Sequence, residues 1–196
     1  MNRRDALARV ALLMGGAVIG ADYFLTGCSP ASSDKSKDGA SNFKALDAKQ
    51  QAYLDEVGDT ILPATKTPGA KAAHVGSFMA VMVRDCYKPA DQEIFTKGLT
   101  QLEEASQKMN GKGFLESTPA QRTALLTALD AEQKNYAKTK TPEQPNHYFR
   151  MVKELTLLGF FTSEVGATQA LRYLPVPGKY VGDYPYKKGD RAWATT

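Results

Sequence analysis

The chain has 196 residues, 42% hydrophobic and 23% charged, with 16 Gly and 10 Pro. That is the profile of a globular protein, and it excludes a disordered, collagenous or polytopic membrane chain. The formal net charge is +4; Arg3, Arg4 and Arg9 against Asp5 and Asp22 leave +1 on the first 27 residues and +3 on the rest. This balance is too mild for a nucleic-acid binder, and no stretch gathers Lys and Arg into a patch.

Residues 1–27 have the order of an export signal. Three arginines precede Val10–Ala21, an uncharged and mostly apolar run of 12 residues. A membrane span needs about 20 such residues, and Asp22 stops this run short, so a signal-peptide core is expected. Leu25-Thr26-Gly27-Cys28 then has the pattern of a bacterial lipobox: apolar, small, small, Cys. Cys28 is the expected lipidation site, placing the protein in the bacterial cell envelope, anchored by lipid and facing the periplasm. Ser29 after the cysteine leans toward the outer membrane, by a sorting rule that varies among bacteria. The pair Arg3-Arg4 fits twin-arginine export of a folded protein. Its context lacks the usual apolar residue two places on, so Sec export stays open. With Cys28 lipidated only Cys86 remains, and no intramolecular disulfide can form. Cys86 closes an apolar helical stretch, where a buried structural thiol is expected.

From 28 to 42 the chain is mostly Ser, Asp, Lys and Gly, a flexible tether. Residues 43–196 are then expected to form one helical domain, since a chain of about this size buries roughly 70% of its unfolded surface. Five segments carry helical periodicity. The first runs from about Asp47 to Leu62, with Leu54, Val57 and Ile61 on one face, Asp47 and Gln50 as a capping pair, and Pro63 ending it. A second, about Ala70 to Cys86, aligns Val75, Phe78, Met79, Met82 and Val83. Pro89 opens a third, whose Ile94, Phe95, Leu99, Leu102 and Met109 point one way until Asn110-Gly111. The fourth starts at Thr118-Pro119 with Gln121 closing a capping box, and buries Leu125, Leu126 and Leu129. Lys134–Pro145 is polar, contains two prolines, and is expected to be a loop. The fifth, about Asn146 to Ser163, carries Tyr148, Phe149, Val152, Leu155, Leu158 and Phe161 and is the candidate central helix. No alternating Val/Ile run suggests a sheet. The expected fold is all-α, a bundle of about five helices.

Beyond Leu174, Pro175, Pro177 and Pro185 alternate with Gly178, Gly182 and Gly189, which forbids sustained helix or strand. Yet Tyr173, Tyr180, Tyr184, Tyr186 and Trp193 crowd into this tail. Disordered tails are poor in aromatics, so the tail is expected to lie against something. It either wraps its own helices or faces a partner, with Phe160, Tyr173, Tyr180, Tyr184 and Trp193 as candidate interface residues.

No constellation for catalysis is visible. The two histidines, His74 and His147, lie in separate segments, and Glu143 to His147 misses the Glu-x-x-His spacing of di-iron bundles by one residue. CxxC, HExxH, CxxCH, P-loop, GxGxxG and GxSxG patterns are absent from the sequence, leaving metal, haem, nucleotide and nucleophilic chemistry without a foothold. Asp55, Glu56 and Asp59 cluster on the first helix, where a solvated face is the ordinary expectation. No catalytic or metal-binding residue is assigned.

Two blocks carry a resemblance. Asp59-Thr60-Ile61-Leu62-Pro63 followed by Thr67-Pro68-Gly69-Ala70-Lys71 resembles the N-terminal signature of the gluconate 2-dehydrogenase subunit 3 family, in which a helix ends at Ile-Leu-Pro and a Thr-Pro-Gly-Ala turn starts the next. Gly159-Phe160-Phe161-Thr162-Ser163-Glu164-Val165-Gly166, then Ala170-Leu171-Arg172-Tyr173, Pro175-Val176-Pro177-Gly178 and Ala192-Trp193, resembles the family's C-terminal part. The resemblance implies a small helical subunit without a cofactor of its own. The implied partner is a large FAD-containing dehydrogenase of the glucose–methanol–choline type acting on a sugar or sugar acid, often with a cytochrome c subunit. It also implies that a twin-arginine leader escorts the folded flavoprotein across the membrane. A lipobox is not general in the family and suggests an added anchoring role. The alternative is a stand-alone helical lipoprotein acting as a binding or scaffolding module.

Overall fold

The structure is a computed structural model that describes residues 45–176 and 178–194. The leader, Cys28 with its lipobox, and the tether lie outside the described residues. Among the described residues five α-helices follow one another: α1 (Ala48–Ile61), α2 (Val75–Cys86), α3 (Pro89–Asn110), α4 (Pro119–Thr139) and α5 (Tyr148–Thr162). A 3-10 turn (Ala70–Ala73) precedes α2 and a π turn (Gly166–Ala170) follows α5. Among the described residues there is no strand, only an isolated bridge between Arg172 and Trp193. The chain is an all-α bundle, as its periodicity predicts.

Local chemistry sets the helix starts. Asp47 and Thr118 each accept a hydrogen bond from the third residue of the helix that follows, and Gln50 and Gln121 reach back to the cap amides, so both expected capping boxes form. Gly111 ends α3 in the left-handed region, φ 70°. The start of α2 is built differently. His74 takes φ 50°, rare outside glycine, and divides the segment expected as one helix into the 3-10 turn and α2. The amide of Gly76 is held from outside, donating to Asp55 Oδ1 of α1 at 2.8 Å.

Helix α5 is central: it touches α1, α2, α3 and α4, and eight of its 15 residues are buried. Leu54, Val57, Val75, Met79, Val83, Phe95, Leu102, Phe114 and Val152 are fully enclosed around it. Three expected core residues face out instead. Met109 is exposed near the end of α3. On α5, Leu158 and Phe161 are exposed and Gly159 and Phe160 take the inner positions. Gly159 sets this choice, because a Cβ there would come within 2.7 Å of the Phe78 ring of α2. Helix α4 also runs on to Thr139, through half of the stretch expected as loop. Tyr136 holds the extension, its ring 6.0 Å from that of His147 and its hydroxyl donating to the Pro145 carbonyl at 3.1 Å.

Candidate partner interface

The first signature turn is explained by close approach to the end of α1. Ala70 N–H donates to the Leu62 carbonyl at 2.9 Å, pulling the 3-10 turn back across α1. Gly69 sits at the contact: a Cβ would fall 2.5 Å from the Ala64 nitrogen and 2.8 Å from the Leu62 oxygen. Two of the three acids of the cluster beside it are engaged by the fold. Asp55 caps α2, while Glu56 pairs with Lys71 and with Arg122, 3.0 Å away on α4. Those cations, Lys71 first, hold the Glu56 carboxyl below its usual range. Arg122 also donates to the carbonyls of Phe114 (3.0 Å), Ser117 (3.1 Å) and Leu115 (2.6 Å).

The second signature ends α5. Ser163 Oγ donates to the Phe160 carbonyl at 2.6 Å and accepts the Gly166 amide at 3.0 Å. A Cβ on Gly166 would lie 1.9 Å from the Phe160 oxygen, so only glycine allows the chain to double back here. The π turn then closes with Leu171 N–H donating to the Gly166 carbonyl at 2.9 Å. Arg172 follows Leu171 directly.

Arg172 meets the far end of the tail. Its amide donates to the Ala192 carbonyl and its carbonyl accepts from Ala194, both at 2.8 Å. The guanidinium stacks 4.6 Å from the centre of the Trp193 ring and 5.6 Å from that of Tyr184, and these rings meet edge to face at 5.5 Å. Arg172 Nε donates to the Arg191 carbonyl, and Arg191 Nη1 to the Gln169 carbonyl, each at 2.6 Å. The tail therefore leaves the bundle and returns to it, tied at its base. Nothing in the local sequence assigns Arg172 this role; an arginine next to aromatic and proline-rich sequence is the one available hint.

Of the five aromatic residues expected at an interface, the structure brings Tyr184 and Trp193 together at the clasp. Tyr180 stands outside it, 95% exposed, and Tyr173 is half exposed. Phe160 is a correction: at 2% exposure it belongs to the core, and the accessible ring of that turn is Phe161. Cys86 is also corrected. It is exposed, because α2 ends there and its buried stripe stops at Val83.

Two grooves mark the bundle surface. One, of about 580 Å³, runs between the start of α1, α3 and the Gly113–Glu116 loop. Its Glu103 is engaged internally, accepting the Tyr53 hydroxyl and the Phe114 amide, both at 3.1 Å. Burial and this carboxylate raise the Tyr53 hydroxyl well above its ordinary pKa. The other, of about 460 Å³, holds His147, whose Nδ1 accepts the Phe149 amide at 3.2 Å as the cap of α5. Tyr148 in the same groove is pushed up to about 12, by burial above all. Among the described residues no group of three or more His, Cys, Asp or Glu is placed to hold a metal ion, and no helix is long and apolar enough to cross a membrane.

Fold and surface together define a small all-helical module with an outward-facing aromatic loop. The chain belongs to the gluconate 2-dehydrogenase subunit 3 family, which it matches over residues 48–178. Both signature turns and the clasp arginine lie inside that range; Tyr180, Tyr184 and Trp193 lie beyond it. No curated protein and no solved structure matches the chain.

Proposed function

We propose that this protein is the non-catalytic accessory subunit that escorts and anchors a large FAD-dependent sugar or sugar-acid dehydrogenase of the glucose–methanol–choline type, with a cytochrome c subunit as a further partner. The family match across residues 48–178 carries the reading, since the family is by name a subunit of a dehydrogenase complex. The chemistry then lies with the flavoprotein, and this chain supplies export, a lipid anchor at Cys28 and a docking surface. Arg3-Arg4 fits physically: a flavoprotein loaded with FAD in the cytoplasm requires a folded-state export route. Two acyl chains or more anchor stably where one is marginal, so a lipidated Cys28 is sufficient to hold the complex at the membrane.

Replacing Arg3 and Arg4 together with Lys tests the escort role. The variant is expected to leave both subunits in the cytoplasm, while Cys28→Ser exports both and releases them into the soluble fraction. Normal periplasmic arrival of the flavoprotein in the double-Lys variant contradicts the escort role. A Cys28→Ser protein that stays on the membrane through a high-salt wash contradicts the anchor.

A further inference from the structure

We propose that residues 172–193 form a docking loop closed in advance by Arg172, and that its outer face meets an acidic face of the large dehydrogenase subunit. The inference rests on the accessory-subunit reading and adds to it the surface, the device that shapes it and the charge of its partner.

Among its described residues the loop has no helix or strand of its own, so its shape depends on its base. There the two backbone hydrogen bonds of the bridge and the guanidinium between Trp193 and Tyr184 coincide. Fixing a residue's backbone costs about 1–2 kcal/mol, and a loop closed before encounter has less of that cost left to meet on binding. The side chains it turns outward have no use inside the fold: Tyr180 is 95% exposed, Val176 78% and Tyr186 73%. Tyrosine brings a large amphipathic ring with only two rotatable angles, which is why it recurs as an interface anchor.

Charge names the partner. Apart from Arg172 and Arg191, which tie its base, the loop carries Lys179, Lys187 and Lys188 against Asp183 and Asp190. The Asp190 carboxylate is turned back to accept the Lys187 amide at 2.9 Å. A loop with this excess of cations steers toward an acidic surface. A protein face fits better than a lipid surface. The chain's single Trp is engaged with Arg172 and Tyr184 in the clasp, and the most exposed rings, Tyr180 and Tyr186, are tyrosines, which recur as protein-interface anchors.

The test uses the full processed chain and the purified flavoprotein subunit. Trp193, the only tryptophan, reports the clasp by its emission, and trypsin cleavage at Lys179, Lys187 and Lys188 reports loop order. Arg172→Ala is expected to red-shift the emission, speed cleavage and weaken binding at least tenfold, with the helical melting transition nearly unmoved. Tyr180→Ala with Tyr186→Ala keeps the clasp closed and loses roughly 30-fold in affinity, the usual effect of truncating interface anchors. Lys187→Glu with Lys188→Glu slows association and flattens its salt dependence. If Arg172→Ala leaves emission and cleavage unchanged, the clasp is wrong. If the clasp opens, or both tyrosines are removed, and affinity holds, the loop is not the docking surface. If the tyrosine pair abolishes binding to anionic phosphatidylglycerol vesicles but not to the flavoprotein, the loop is a membrane contact and the proposal falls. Failure of the wild-type chain to bind the flavoprotein overturns the accessory reading itself, whatever the clasp does.

Discussion

At the scale of single residues, Arg122 ties three parts of the bundle together. Its guanidinium meets three carbonyls of the loop between α3 and α4, a carboxylate of α1 and the face of Phe114, 5.2 Å from the ring centre. Only 18% of the side chain is exposed, so its loss leaves the three carbonyls partly desolvated without this donor and Glu56 with Lys71 alone. Arg122→Ala is expected to cost about 2–3 kcal/mol, lowering Tm by roughly 5–10 °C, measured by thermal unfolding. Two carboxylates make stability pH-dependent. Lys134 first, and then Lys153, hold Asp130 far below its ordinary value, and Glu56 is lowered in the same sense. A carboxyl depressed in the folded state stabilises above its ordinary pKa, about 4, and that contribution is lost as pH falls through the folded value. Tm should therefore fall from about pH 5 to about pH 2, and Asp130→Asn should be less stable at neutral pH but show a smaller acid loss. An unchanged acid slope in Asp130→Asn would contradict the role given to the Lys134–Asp130–Lys153 cluster.

At the scale of elements, what the sequence could foretell follows the range of the forces involved. Asp47 with Gln50 and Thr118 with Gln121 are contacts three residues long, and both were legible as capping boxes. The last turns of α4 were not, because Tyr136 is supported from His147 and Pro145, across the turn into α5. The inner face of α5 was legible up to Leu155. Beyond it, the close packing of Gly159 on Phe78 of another helix turned Phe160 inward and Phe161 outward. The family signatures proved easier to recognise than to explain from sequence: Gly69 and Gly166 mark places where backbone meets backbone. Gly166→Ala puts a methyl group against the Phe160 carbonyl, a strain of about 1–3 kcal/mol. The expected outcome is loss of exchange protection at the Leu171 amide, which closes the π turn, and faster cleavage of the tail beyond it. Protection equal to wild type would show that the turn tolerates the methyl and does not set the direction of Arg172.

At the scale of the whole molecule, the bundle and the tail are built differently. The apolar core gathers on α5, and the two signature turns close the ends of α1 and α5 and pack against α5. The tail adds little to that core; it is tied by Arg172 and Arg191 and turns its remaining aromatic rings outward. The sequence made the tail's composition plain but not its closure, because Arg172 and Trp193 are 21 positions apart and joined by no regular element. A build of this kind suits a subunit whose partner carries the chemistry. The measurement that bears most directly on that claim is co-purification of the tagged full-length chain from cells that also produce the large dehydrogenase subunit. A complex with the absorbance of bound flavin and sugar or sugar-acid dehydrogenase activity is expected. Recovery of a folded, colourless small chain alone, with a flavin-loaded large subunit left behind in the same extract, would contradict it.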